Sequence, residues 1–189
     1  MKKPLIALAL AVSLIGCASS PQQVHLNPQI DVSSRLTKQP AVQLTINDLR
    51  PSPSMGTRGG VYGSTNHITA DRNLSDSLRP AAIKALNELG ARVDASSPFP
   101  IALSLDIEKV SYQVDQNSSL PIQITLDAAI RASASKEGKS FSGRYESSKM
   151  HKFIKAPSEQ RNEEIINEIL SDTLNRVFND PRLLTFMEQ

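Results

Sequence analysis

The middle of this sequence alternates between apolar and polar residues, and this period of two is typical of β-strands that bury one face. The alternation covers three stretches, 101–107, 110–114 and 120–130. The first two stretches are out of phase by one residue, which exchanges the two faces, so we expect a β-bulge near Glu108-Lys109. Lys136-Glu137-Gly138-Lys139 predicts a hairpin turn into a last strand over 141–153.

Two amphipathic segments are predicted to cover these strands. The first helix is expected from Ser75 to Leu89 with Pro80 in its first turn, and the second from Ser158 to Phe178. Ser158 is expected to cap the second helix, and Asp180 to cap a short final helix from Arg182 to Met187. Earlier strands are expected at 41–49 and near 91–93. We therefore expect an α+β domain, a two-layer sandwich of a mainly antiparallel sheet covered by the two helices.

The segment 51–70 is rich in Pro, Gly, Ser and Thr and predicts a long loop. A phosphate-binding loop ends in Gly-Lys-Ser/Thr and is followed directly by a helix, and this segment has neither feature. A mobile loop is the simpler interpretation. The alternative is a partner-binding loop, whose contact residues are Arg58, Val61 and Tyr62.

The first residues have the organisation of an export signal. Two lysines precede an apolar run from Leu5 to Ile15, which is too short to span a membrane. The run ends in a lipobox, the cleavage motif of lipoprotein signals, made of Leu14, Ile15 and Gly16 before Cys17. Residues 1–16 are thus predicted to be a lipoprotein signal peptide. The alternative is an ordinary signal peptide with an incidental cysteine.

Cys17 is the single cysteine of the chain, and we expect its thiol to carry the lipid that anchors the protein in a membrane. Residues 17–40 are predicted to be the acylated N-terminus and a flexible tether, part of which could add an edge strand. Residues 41–189 are predicted to be a periplasmic domain. Ala18, in place of the Asp that retains lipoproteins in the inner membrane, favours the outer membrane.

Charge and aromatic content exclude several kinds of binding. Residues 1–16 hold two of the 21 basic residues and none of the 19 acidic ones, so the remaining chain has 19 of each. A neutral domain gives no reason to expect nucleic acid as a partner. Aromatic residues are 4% of the chain and Trp is absent, which disfavours a stacking platform for sugars or bases.

No group of residues has the pattern of a catalytic or metal site. His25, His67 and His151 lack the spacing of metal ligands. Ser133 and Lys136 match a Ser-x-x-Lys pattern, but they straddle a strand end and a turn, where that chemistry needs a helix. Glu163 and Glu164 are adjacent on a helix and point to different sides. We therefore predict no enzyme, no cofactor and no metal.

The chain also resembles the YajG-like family of bacterial lipoproteins over nearly its whole length. Beyond the lipobox, the resemblance rests on Asp71-Arg72-Asn73-Leu74, on Leu170-Ser171-Asp172-Thr173-Leu174, and on Asp180 with Phe186. Where the family pattern often has Arg-Asp-Leu, this chain has Arg72-Asn73-Leu74. The resemblance implies an envelope lipoprotein without an assigned function and supplies no catalytic residues.

These observations favour a non-catalytic interaction module that binds an envelope protein, in addition to the membrane lipid held through Cys17. Two alternatives remain open. One is an accessory of a transport system that binds lipid or another small ligand in a cleft between sheet and helices. The other is a cell-wall enzyme, for which the sequence offers no candidate residues.

Overall fold

Three long strands and a long helix in the second half of the chain form the centre of the fold. The computed structural model describes residues 21–59, 65–115 and 120–189. The strands are β1 (Gln22–Val24), β2 (Ala41–Asp48), β3 (Gly56–Thr57), β4 (His67–Ala70), β5 (Arg92–Val93), β6 (Ile101–Val114), β7 (Ile122–Lys136) and β8 (Lys139–Phe153). The helices are α1 (Leu74–Glu88), α2 (Glu159–Phe178) and α3 (Pro181–Met187). The two long helices thus lie where the apolar stripes predict them.

The three long strands pair with one another in an antiparallel ladder. The pairing of β6 with β7 shifts its register between Ile107 and Lys109, which confirms the predicted bulge. β7 and β8 are joined by a tight turn in which Glu137 has a φ of 49° and Gly138 a φ of 79°. Two central residues with positive φ suit the right-handed twist of a hairpin, so this turn is also confirmed.

The rest of the sheet is mixed in direction. β2 runs parallel to the first half of β6, with Val42 opposite Ile101, because the chain crosses from one to the other through α1. β1 with β4, β2 with β5 and β3 with β6 are parallel as well. The eight strands of the described residues form one curled sheet that packs with three helices. The α+β class is confirmed, whereas the predicted two-layer sandwich of a mainly antiparallel sheet is wrong, because the sheet is curled and mixed in direction.

The segment 51–70, predicted as a loop, contains two short strands. β3 pairs with β4, placing Gly56 opposite Ile68, and Gly56 also lies opposite Tyr112 of β6. Met55, Asn66 and Ile68 are buried. Both ends of the segment are therefore part of the sheet and its core, and the loop prediction is wrong for them. Residues 60–64 lie outside the described residues.

Both long helices bury their apolar stripes against the sheet. α2 packs on β7 and β8, and α1 packs on β2. The most deeply buried stripe residues are at most 1% exposed: Leu78, Ala82, Ala85, Leu86, Ile165, Ile166, Ile169, Leu170, Leu174 and Val177. Each large side chain among them stabilises the fold by roughly 1.5–3 kcal/mol through burial. Pro80 lies on the exposed side of α1 and in its second turn, not in the first turn as predicted.

The segment 22–38, predicted as part of a flexible tether, packs against the domain. Its even-numbered residues from Gln22 to Ile30 are buried and the odd-numbered ones are exposed. Val24 and Ile30 belong to the hydrophobic core, and so does Leu36 further along. The suggestion that part of the segment adds an edge strand is right for β1. The described domain therefore begins at the start of β1 rather than at residue 41.

A ladder of side chains on α2 holds this segment, and we call it the α2 ladder. Backbone N–H groups of alternate residues, 25 to 33, donate to side-chain oxygens that recur every fourth residue of α2 and at its C-cap. The acceptors are Glu163, Asn167, Ser171, Asn175 and Asn179, at 2.7 to 2.9 Å. Two of these side chains also donate back to backbone carbonyls of the segment. An extended chain is thus paired with a helix much as it would be with a neighbouring strand.

Gln22 fixes the point where the chain joins the domain. Its side-chain amide donates to the carbonyl oxygen of Glu159 at 2.7 Å and accepts from Asn162 at 2.9 Å. Asn162 accepts in turn from the hydroxyl of Tyr112 at 2.8 Å. Burial raises the pKa of Tyr112, so its hydroxyl stays protonated and donates. The chain therefore joins the domain beside the first turn of α2.

Asp180 connects α3 to the sheet. Its side chain caps α3 by accepting from the backbone N–H of Arg182 at 2.7 Å, as predicted for this position. It also accepts from the Arg182 guanidinium at 2.8 Å and from the Tyr145 hydroxyl at 2.6 Å. The hydrogen bonds from Arg182, and after them the one from Tyr145, lower the pKa of Asp180 to about 2.

We expect Asp180 to contribute to the acid sensitivity of the fold. A folded-state pKa below the ordinary value of 3.8 gives stability that is present above pH ~4 and is lost as the pH falls toward about 2. The size of the shift corresponds to ~2 kcal/mol. The free energy of unfolding, measured with urea, should fall less between about pH 5 and about pH 2.5 for Asp180→Asn than for the unchanged protein. Asp31→Asn, at an exposed side chain, is the control. If the free energy of unfolding falls as much in Asp180→Asn as in the unchanged protein, Asp180 does not contribute to the acid sensitivity of the fold.

Candidate functional site

The helices pack on one face of the sheet, and the side chains of the other face, apart from the small Ala129, remain exposed or half-buried. We call this second surface the open face. It consists of a groove of small polar side chains near the β7–β8 turn and a group of charged side chains beyond it. The groove and the charged group both lie on this face because successive side chains of a strand point to opposite faces, so residues between two core positions point here.

The groove, which we call the serine groove, spans four strands. Thr45, Ser104, Ser133 and Ser142 lie side by side in one row across β2, β6, β7 and β8. Gln43, Ala102, Ser135 and Ser140 form the next row. Together they line a shallow groove of about 430 Å³. Because these side chains are short, an extended partner can approach the sheet closely there.

The chemistry of the serine groove is that of hydrogen bonding. Each hydroxyl can donate one hydrogen bond and accept others. The side chains that line the groove include no His, Lys, Asp or Glu. A serine becomes a nucleophile only when a base or a lowered pKa activates it. The Ser104 hydroxyl donates to the carboxylate of Asp106 at 2.9 Å. The hydroxyls of the groove therefore offer hydrogen bonds to a ligand.

Charged side chains surround Glu108, the residue that the bulge leaves between two ladder pairs. Glu108 accepts from Arg144 at 2.6 Å and from Arg131 at 2.9 Å, and the Arg144 hydrogen bond is the main reason that its pKa is lowered. Asp127 lies further along the same face and accepts from Lys109, Ser111 and Ser148. These half-exposed pairs contribute little to stability. Their effect is to hold a fixed pattern of opposite charges beside the serine groove.

The pattern Ser133-x-x-Lys136 lies on β7. Ser133 belongs to the open face, and its hydroxyl is 3.5 Å from that of Ser142. Lys136 is the last residue of the strand and pairs with Lys139 across the turn. Residues three apart on a strand point to opposite faces. The two side chains therefore do not meet on one face, as the chemistry of this pattern requires.

Of the predicted partner-binding loop, only Arg58 lies within the described residues. Its side chain is 20% exposed and forms an ion pair of 2.9 Å with Glu159 at the start of α2. Val61 and Tyr62 lie outside the described residues, as do Gly60 and Gly63. Arg58 thus contacts the same turn of α2 that Gln22 contacts, and it supports the junction of the chain with the domain.

The three histidines lie apart. His25 contacts Asp71 at 2.8 Å, His67 contacts Ser54 at 3.1 Å, and His151 stacks on Phe153. Within residues 21–59, 65–115 and 120–189, no three His, Cys, Asp or Glu side chains are placed to hold a metal ion. Glu163 binds the backbone of His25 while Glu164 pairs with Arg161, so these two carboxylates serve different contacts.

Leu14, Ile15, Gly16 and Cys17 lie outside the described residues, so the lipobox remains a prediction from sequence. None of the described helices is long and apolar enough to cross a membrane.

The sequence reasoning missed the α2 ladder. Two signals were present: a Glu, Asn or Ser every fourth residue along one side of α2, and alternating apolar residues from Val24 to Ile30. Each is weak alone, because a polar helix side is ordinarily solvated and Pro28 interrupts the apolar residues of the strand pattern. Only the structure shows that the polar side of α2 and the alternating segment are in contact.

Sequence comparison identifies the family. The profile of a family described as uncharacterized lipoproteins matches residues 28–188. The chain belongs to this family. The resemblance to YajG-like lipoproteins is therefore confirmed. No curated protein matches the chain.

Asn73 lies where the YajG-like resemblance implies Asp in many sequences. Its side chain caps α1, and its side-chain oxygen accepts from Ser75 N–H at 3.2 Å. Asp caps a helix equally well, so either residue can fill this structural role.

Solved structures of distant proteins have related shapes. A protein from Xanthomonas campestris is 9% identical, with 88% of this chain and 93% of that one covered and a TM-score of 0.48. A minor lipoprotein from Acinetobacter baumannii is 7% identical, with 77% and 90% covered and a TM-score of 0.42.

Proposed function

We propose that this protein is a lipoprotein acylated at Cys17, held on the periplasmic side of the outer membrane, and that it is a non-catalytic interaction module. Its partner is an envelope protein, and its binding surface is the open face of the sheet. The single observation that carries this proposal is a four-strand-wide surface that the helices leave uncovered, while they pack on the other side of the sheet.

The composition of the open face suits reversible contact with another protein. The serine groove presents hydroxyls without a His or Lys beside them, and the charges around Glu108 are held at fixed positions. Polar groups at such a surface determine the orientation and specificity of a partner more than its affinity. Membership of a lipoprotein family supports the anchor, and the absence of charged groups from the groove supports binding over catalysis.

The alternative of a lipid or small-ligand accessory requires a cleft between the sheet and the helices. In the described part of the chain this space is filled by side chains. Ile165, Ile166, Ile169 and Leu170 of α2 are 0% exposed, as are Ile124 and Ile130 of β7. Close packing of this kind leaves no room for an apolar ligand without rearrangement of the core. The structure therefore favours the interaction module.

Photo-crosslinking in cells tests the proposal. A photoreactive amino acid replaces Ser133 or Ser142 of the serine groove, or Lys84 on the exposed side of α1 as the control. We expect both groove positions to yield an adduct with the same envelope protein and Lys84 to yield none. Ser142→Arg, which fills the groove but leaves the core untouched, should abolish the adduct formed at Ser133. Equal adducts at Lys84, or none from the groove, would argue against the open face as the binding surface.

A further inference from the structure

The end of the molecule where α2 begins carries exposed apolar side chains. Ile154 is 86% exposed and Leu120 is 64% exposed, the former just after β8 and the latter just before β7. The first pair of the β7–β8 ladder, Ile122 opposite Phe153, lies between them and fixes both at the same edge. We call Leu120 and Ile154 the apolar tip. Single exposed apolar side chains are common on protein surfaces, but these two share one edge and can enter the interface of a bilayer together.

The N-terminal chain reaches the domain at this same end. Gln22 bonds to Glu159 and Asn162 in the first turn of α2, and Ile154 lies five residues before Glu159. Five residues also separate Cys17 from Gln22. A fully extended chain of that length spans at most about 18 Å. A lipid attached at Cys17 would therefore hold this end, and not the far end of the sheet, close to the bilayer.

The charges around the apolar tip favour a lipid surface. Lys152 and Lys155 flank Ile154, and within the described residues neither lysine forms an ion pair. Two carboxylates in the first turns of α2 are paired with cations, since Glu159 pairs with Arg58 and Glu164 pairs with Arg161. Glu163 accepts instead from the backbone N–H of His25. Apolar side chains flanked by free lysines suit an anionic bilayer, in which the former enter the interface and the latter meet headgroups.

We propose that the apolar tip contacts the membrane, so that the domain stands on the bilayer with β7 and β8 directed away from it. This inference rests on the proposed acylation of Cys17 and adds to it a fixed orientation. Ser133 lies 11 residues along β7 from Ile122, which corresponds to roughly 35 Å in a strand. The serine groove is then displayed to the periplasm, out of reach of the lipid.

Depth-dependent fluorescence quenching tests the orientation in the full acylated chain. Acylation consumes the thiol of Cys17, so a cysteine introduced elsewhere is the one site that reacts with a maleimide dye. Ile154→Cys and Leu120→Cys place the dye at the tip. Phe99→Cys, at a side chain that is 70% exposed at the opposite end of β6, is the matched control. The labelled proteins are reconstituted into phosphatidylcholine vesicles that contain a nitroxide-labelled lipid, with or without phosphatidylglycerol.

We expect the dyes at positions 154 and 120 to be quenched several-fold more than the dye at position 99. Phosphatidylglycerol should increase the quenching, and Lys152→Glu with Lys155→Glu should remove that increase. Equal quenching at positions 154 and 99, in protein that floats with the vesicles, would overturn the orientation and leave the anchor standing. A chain that takes up no labelled palmitate and does not float would overturn the proposed function, and the orientation with it.

Discussion

A chain that begins at residue 41 is expected to remain unfolded, whereas one that begins at residue 21 folds. The shorter chain lacks Val24, Leu26, Ile30 and Leu36, all of which belong to the hydrophobic core. Their burial stabilises the domain by roughly 6–12 kcal/mol in total. That range is comparable with the whole stability of a typical domain, about 5–15 kcal/mol. The loss also uncovers apolar side chains of α2 and leaves the acceptors of the α2 ladder without their donors.

Circular dichroism and thermal unfolding of the two chains measure this difference. Both chains lack the signal peptide and Cys17, so the anchor does not enter the comparison. The chain from residue 21 should melt cooperatively, and the chain from residue 41 should show no cooperative transition. A cooperative transition at a similar temperature in both chains would mean that residues 22–38 are the flexible tether that the composition of the segment predicts.

The second large effect is expected from Gly56→Ala. A Cβ at this position would lie 1.9 Å from the carbonyl oxygen of Tyr112, and the φ of 147° is unfavourable for any side chain. The contact is with backbone, so relief requires β3, which lies between β4 and β6, to move away from β6. We expect a loss of about 3 kcal/mol or more in the free energy of unfolding, measured with urea.

Gly138→Ala is the matched control for this substitution. Gly138 also has a positive φ, 79°, but nothing lies within 4 Å of the position that its Cβ would take. The cost there is limited to backbone strain, roughly 1–2 kcal/mol. If the two variants lose equal stability, the close approach of β3 to β6 is not what selects glycine at position 56.

The sequence predicts the long elements well because each carries a complete periodic signal. The stripes of α1 and α2, the caps Ser158 and Asp180, and the phase slip near Glu108 are all local patterns, and the structure confirms each of them. Strand direction is not local. The alternation in Ala41–Asp48 shows that one face is buried, but it cannot show that the neighbour is β6 running parallel.

The candidate site is predictable only in its parts. Alternation places Ser104 and Ser133 on an uncovered face, but their meeting in one row depends on the register of β6 with β7, which the bulge sets. The segment 22–38 was misassigned for a related reason. Its polar composition is that of a tether, and its order comes from acceptors on α2 that lie about 140 residues away in sequence.

The α2 ladder also has a mechanical consequence. The segment 25–33 runs in the same direction as α2, so a pull on the chain from its N-terminal end acts along the line of the ladder and across its hydrogen bonds. The five hydrogen bonds are loaded in shear and share the force, so they do not break one after another from one end. β1 and β4 are likewise parallel and are loaded in shear. A domain tethered at Cys17 would therefore resist a force that pulls it away from the membrane, because the bonds of the α2 ladder lie across the direction of that pull.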